Sequence, residues 1–221
     1  MKLGRILRPI GLVAGTLALA SLLAFGSKAH AYDFHEGDIL LQSISTTQSL
    51  ALAMATGSDY THCGIVFKRN GQVFVYEAQG VMVFTPIIDF IGKSSQPILL
   101  LRLKDPSVLT PEVVKKMKDV ARSFELKQYD YRFRWSDEFI YCSELVYKIY
   151  QRGAGIDLVP LKRFRDYNLD HPAVKALIER RYGDSPPLDE LAVSPADLIN
   201  SPLLELVTKV RGAVIEAPKK R

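Results

Sequence analysis

The sequence predicts an α+β domain with a mostly antiparallel sheet, and three observations carry that prediction. Runs of strand-forming residues occupy the stretch from Ile39 to Leu103, Asn70-Gly71 joins two of them as a tight hairpin, and helical periodicity takes over after Thr110. The chain has 221 residues, 48% hydrophobic and 24% charged, with 14 Gly and 12 Pro. This is an ordinary globular composition, and it excludes a disordered tail or a repeat array.

The first segment reads as an export signal over residues 1–31. Lys2, Arg5 and Arg8 form a positive start, Gly11 to Gly26 is an uncharged run rich in Leu and Ala, and Ala29-His30-Ala31 has the small-x-small form of a cleavage site. Cleavage would leave Tyr32 first. The rival is an uncleaved anchor, because residues 9–27 carry no charge over nearly the length that spans a bilayer. The formal net charge is +5, but Lys2, Arg5, Arg8 and Lys28 leave with the leader and take it to +1. A basic pI that belongs to the leader gives no support for binding nucleic acid.

In the mature chain, Gly37-Asp38 opens a strand at Ile39-Leu40-Leu41, and Thr46 to Thr56 has the spacing of a short helix that Gly57 breaks. Tyr60 to Lys68 and Gln72 to Gln79 are the two arms of the hairpin. A connector containing Pro86 and Pro97 leads to a strand at Ile98 to Leu103. Thr110-Pro111-Glu112 then starts a helix whose core stripe is Val113, Met117, Val120 and Phe124. An aromatic loop from Tyr129 to Asp137 precedes a second helix, expected to begin near Cys142 and end before Gly153-Ala154-Gly155. Ser194-Pro195 marks a further capped start, and Lys219-Lys220-Arg221 a solvated end.

The chemistry lies in the hairpin and the second of these helices. With Asn70 and Gly71 as the loop, Gly64 stands opposite Glu77 and His62 opposite Gln79, so His62 and Glu77 share a face as diagonal neighbours. Glu77 can therefore orient the His62 imidazole. Cys142 heads the stripe Cys142, Leu145, Val146, Ile149 and Tyr150 at the helix N-terminus, where partial positive charge favours a thiolate. Together these suit acyl transfer, with Cys142 as nucleophile, His62 as proton partner and the helix's free N–H groups as oxyanion acceptors.

Blander readings stand beside that one. A helix Cys is commonly a small buried hydrophobe and a strand His a satisfied core residue. An even pair of thiols, Cys63 and Cys142, in an exported chain also invites a disulfide, which would compete with the dyad because Cys63 points away from the His62 face. No metal is expected, since His30, His35, His62, His171 and the two Cys show no ligand spacing. His35 and His171 read as loop residues.

Several motifs together resemble one family. They are Gly37-Asp38-Ile39-Leu40-Leu41-Gln42, the run from Ser58 to Val66, Tyr76-Glu77-Ala78, Trp135-Ser136-Asp137, Tyr141-Cys142-Ser143-Glu144, Arg181-Tyr182-Gly183 and Ser194-Pro195. The family is that of the YiiX-like proteins, within the NlpC-like papain superfamily. The resemblance implies one permuted papain-like catalytic domain over residues 32–221, in which the His strand precedes the Cys helix. It also implies catalytic roles for Cys142, His62 and Glu77, no cofactor, and no role for Cys63. The implied activity is a cysteine hydrolase of the periplasm or cell envelope, cleaving a cell-wall peptide amide. Alternatives are a lipid acyl hydrolase or acyltransferase, and a non-catalytic envelope-binding module. The aromatic loop would line a peptide groove, line an acyl pocket, or simply cover the core. Arg132 and Arg134 would bind a carboxylate or phosphate, or serve as surface charge.

Overall fold

The computed structural model describes residues 32–211; the leader read over residues 1–31 and Lys219-Lys220-Arg221 lie outside them. Most of the sheet comes from β1 (Ile39–Gln42), β2 (His62–Arg69), β3 (Gln72–Gln79), β4 (Val81–Pro86), β5 (Ile98–Leu103) and β10 (Leu204–Val210). Short strands β6 (Gln128–Tyr129) and β7 (Phe139–Ile140) close one edge. Among the described residues the order is β10-β5-β1-β2-β3-β4-β6-β7. All neighbours are antiparallel except β6 and β7. A separate ribbon pairs β8 (Lys162–Arg163) with β9 (Leu191–Ala192).

The hairpin register is the expected one, running from Gly64 opposite Glu77 to Arg69 opposite Gln72. Asn70 and Gly71 both take positive φ, 51° and 77°, as a two-residue turn that follows strand twist requires. Helices α1 (Thr47–Thr56), α2 (Ile87–Gly92), α3 (Pro111–Ser123), α4 (Cys142–Ala154), α5 (Pro172–Tyr182) and α6 (Pro195–Ile199) complete the molecule.

Strand alternation sorts the core into two layers. Ile39, Leu41, Cys63, Ile65 and Phe67 meet Met117 and Ala121 of α3 and Leu145, Val146 and Ile149 of α4 on one face. Leu40, Val66 and Val75 meet Ile87, Phe90 and Ile91 of α2 on the other. Gly37-Asp38 ties the layers together. Asp38 is buried and takes two 2.7 Å hydrogen bonds from Arg102 on β5, while Tyr150 of α4 donates to the Gly37 carbonyl at 2.5 Å.

Several elements depart from the sequence reading. The connector before Pro97 holds β4 and α2, and α5, β10 and the short strands β6 to β9 were not foreseen. Pro86 is tolerated because it ends β4, where its missing N–H breaks no central ladder. The α4 helix runs through Gly153 and Ala154 and stops only at Gly155, whose φ of 72° forms a left-handed cap. Gly153 is there for close packing, since a Cβ on it would lie 2.6 Å from the Met117 Cα of α3. His171, read as a loop residue, caps α5 by accepting the Ala173 N–H at Nδ1.

Candidate active site

The hairpin register puts His62 and Glu77 within reach, and the fold makes the contact. His62 Nε2 donates to Glu77 Oε2 at 2.6 Å, with 7% of His62 and none of Glu77 exposed. Gly64 makes room for this. A Cβ there would lie 2.4 Å from Val75 Cγ1 and 3.2 Å from Glu77 Cβ, so only the absence of a side chain lets Glu77 lean along the strand toward the ring. The other carboxylate oxygen accepts from Thr85 on β4 at 2.5 Å and from Lys93, at the end of α2, at 3.4 Å. Phe90 of α2 packs on the imidazole with ring centres 6.0 Å apart.

Cys142 approaches from α4, which packs across β2 and β3. It is the first residue of that helix, follows the extended Tyr141, and is 2% exposed. The segment after β9 fixes this end. Ser143 Oγ donates to the Val193 carbonyl at 2.8 Å, and the Val193 N–H reaches Tyr141 Oη at 3.2 Å. Ser194-Pro195 follows directly and caps α6, with Ser194 and Asp197 bonded to each other.

Charges in this cluster support one another. Burial opposes a charged imidazole, but the Cys142 sulfur and the Glu77 carboxylate outweigh it and push His62 up to about 9. For Cys142 the largest effect is a hydrogen bond from the Cys63 thiol; it and the nearby His62 charge overcome burial and hold the thiol well below its ordinary value. Burial also opposes ionisation of Glu77, yet the His62 contact, Thr85 and Lys93 keep it below the usual carboxylate range. Together these favour a thiolate, an imidazolium and a carboxylate.

Cys63 lies on the α4 face, as alternation requires, and its thiol and His62 both act on the charge of the Cys142 sulfur. Both thiols are free. The even cysteine count points to this same pair, though as a disulfide.

Cys142 lines a cavity of about 80 Å³ that is open to solvent at its mouth. The wall is mainly apolar, with Leu52 of α1, Val174, Leu177 and Ile178 of α5, and Tyr129 and Phe133 of the aromatic loop. That loop therefore lines a pocket, although its Trp135 turns away to pack edge-on against Tyr147 of α4. Arg132 and Arg134 are exposed, and their backbone N–H groups bind the buried Asp130 carboxylate. The arginine on the cavity wall is Arg181. Among the described residues, no group of three or more His, Cys, Asp or Glu side chains is placed to hold a metal ion. No described helix is long and apolar enough to cross a membrane.

Comparison with known proteins agrees with this architecture. The chain is 34% identical over 193 residues to the uncharacterized protein YiiX of Escherichia coli strain K12, an alignment covering 87% of this chain and 95% of that protein. A crystal structure titled as the metalloprotein yiiX from Escherichia coli O157:H7 superimposes with a TM-score of 0.77 at 34% identity, covering 81% of this chain and 99% of that one. Residues 33–208 match the model of the permuted papain-like amidase enzymes, the YaeF/YiiX or C92 family. With its His strand ahead of its Cys helix and both packed into one mainly antiparallel α+β fold, the chain belongs to that family.

Proposed function

We propose that this enzyme is an exported thiol amidase of the cell envelope, with Cys142 as nucleophile, His62 as proton carrier and Glu77 as the residue that orients the ring. The observation that carries the reading is the buried His62–Glu77 hydrogen bond coupled to Cys142, which lines a cavity. In the first step the thiolate attacks the amide carbon, and the oxyanion is received by first-turn N–H groups of α4, which lack intrahelical partners. The C–N bond then breaks as His62 passes its proton to the departing amine, leaving a thioester. Water, losing a proton to His62, attacks that thioester. The C–S bond breaks, the carboxylic acid leaves and the thiolate returns.

The cavity bears on the substrate. An apolar wall beside the nucleophile favours an amide whose acyl part is a hydrocarbon chain over the polar cell-wall peptide expected from the sequence. Export rests on the leader and its Ala29-His30-Ala31 site. The test is a screen of the purified protein against N-acyl amides, acyl lipids and muropeptides, with Cys142→Ala as blank. Turnover of an N-acyl amide, absent from the blank, is the expected result. Turnover of muropeptides alone would restore the wall-peptide reading. A Cys142 inert to thiol reagents at neutral pH, in a protein that still binds envelope fractions, would mark a non-catalytic module. Export predicts a secreted product that begins at Tyr32, read by intact mass.

A further inference from the structure

The cavity beside Cys142 contains one cation without an anion. Arg181, near the end of α5, lies with its guanidinium over the Phe133 ring, 5.1 Å from the centroid. Its Nη2 donates to Gln48 Oε1 of α1 at 2.5 Å, while its Nη1 is enclosed and has no hydrogen-bond partner among the described residues. Several other arginines are paired. Arg102, Arg152, Arg163 and Arg165 each reach a carboxylate. The acid whose charge Arg181 feels, Asp130, has both carboxylate oxygens occupied by the N–H groups of Arg132 and Arg134, at 2.7 and 2.6 Å.

The surroundings hold Arg181 in place. With its oxygen taken by Arg181, the Gln48 amide turns its nitrogen to Tyr129 Oη at 3.2 Å, so α1, α5 and the aromatic loop are locked around the guanidinium. Gln48, Tyr129, Arg181 and Cys142 all line the same cavity. Burial works against the charge on Arg181. A buried N–H without a hydrogen-bond partner is costly, and a carboxylate or phosphate would satisfy the free Nη1 with a charge-assisted hydrogen bond.

We infer that Arg181 is an anion subsite of the cavity, and that the substrate joins a carboxylate or phosphate to an apolar body seated against the α1 and α5 walls. This deepens the amidase reading and relies on it only for which bond Cys142 cuts. The two can fail separately, because binding can be measured without turnover.

The experiment is calorimetric titration of the full-chain Cys142→Ala protein with N-octanoylglycine, its neutral methyl ester and octyl phosphate. A charge-assisted hydrogen bond predicts that at least one anion binds about tenfold or more tightly than the ester. Arg181→Gln should abolish that preference and Arg181→Lys should keep part of it, with thermal melts confirming that each variant is folded. Tighter binding of the carboxylate points to an amino-acid or peptide terminus, and tighter binding of the phosphate to a lipid headgroup; either supports the subsite. Equal affinity for all three probes overturns it, and needs no Arg181 variant. So does a preference that survives Arg181→Gln. Selective binding without turnover in the Cys142 protein would count against the amidase reading alone.

Discussion

The reactive cluster and the cavity wall meet at Cys142 but are built in opposite ways. In the cluster, polar groups satisfy one another: Glu77 serves His62, Thr85 and Lys93, and Cys63 serves Cys142. Most of these residues belong to adjacent strands, so backbone pairing places them. The wall is drawn from segments far apart in the chain, and one of its polar links spans 133 residues from Gln48 to Arg181. Its side chains are mainly apolar, and Arg181 keeps an unsatisfied donor. A preorganised, saturated cluster suits chemistry that is the same for every substrate. An apolar wall with a spare donor suits the choice among substrates.

The sharpest way to break this contrast is at the sulfur. Cys142→Ala and His62→Ala are each expected to lower turnover by about 10⁴-fold or more, and the double variant to lose little beyond either, because groups acting as a unit are not additive. Steady-state kinetics on the three proteins checks this, and losses that multiply would separate the two residues. Binding of amphiphilic probes to the wall should survive Cys142→Ala.

A smaller effect is expected from Glu77→Gln, which keeps a ring acceptor but removes a charge. We expect roughly a tenfold loss in kcat/KM, at the low end for a group acting through general acid–base catalysis. The alkaline limb of the pH profile, near 9 in the native protein, should move down because one of the influences holding the His62 proton is gone. Stability should not follow the same curve. His62, raised from 6.5, contributes stability that is full below pH 6.5 and lost as pH climbs through about 9. Cys142, lowered from 9.0, contributes stability that is present above pH 9.0 and lost as pH falls. Folding leaves one extra proton on the ring and one fewer on the sulfur, so the two contributions have opposite slopes. In denaturant titrations the pair should therefore add less pH dependence than either group would alone.

Gly64→Ala tests the packing beneath the cluster. The added methyl collides with Val75 and crowds Glu77, so a loss of about 1–3 kcal/mol is expected in urea unfolding, with kcat falling as the carboxylate is displaced. His171→Ala tests the wall and should be the mildest change. It removes the α5 cap at a cost of about 1 kcal/mol in thermal or chemical unfolding. Because α5 carries Arg181 and Ile178, it should raise KM more than it lowers kcat.

How far the sequence could be read follows from the range of each interaction. Asn70-Gly71 has a narrow conformational choice, so the hairpin and its register were legible, and with them the His62–Glu77 neighbourhood. The strand at β4 was hidden by Pro86, and α5 by a weakly patterned run whose start is capped by a histidine instead of Ser, Thr, Asp or Asn. For α4, the inward stripe from Cys142 to Tyr150 was correct but too narrow. Glu144 and Lys148 are also buried, paired at 2.7 Å, with Trp135 over the ammonium. Charge on a helix reads as a solvated face until the partners that enclose it are known.

By itself the chain determined the β2–β3 hairpin and its register, the helix that starts at Cys142 and the residue types of the reactive cluster, because turns, caps and periodicity act over a few residues. Only the tertiary structure decided that Cys63 would face Cys142, that Tyr129 and Phe133 would line a cavity, and that Arg181 would be the arginine on its wall. Those placements come from α4 crossing the sheet and from α1 packing on α5, where contacts join residues that no local rule connects.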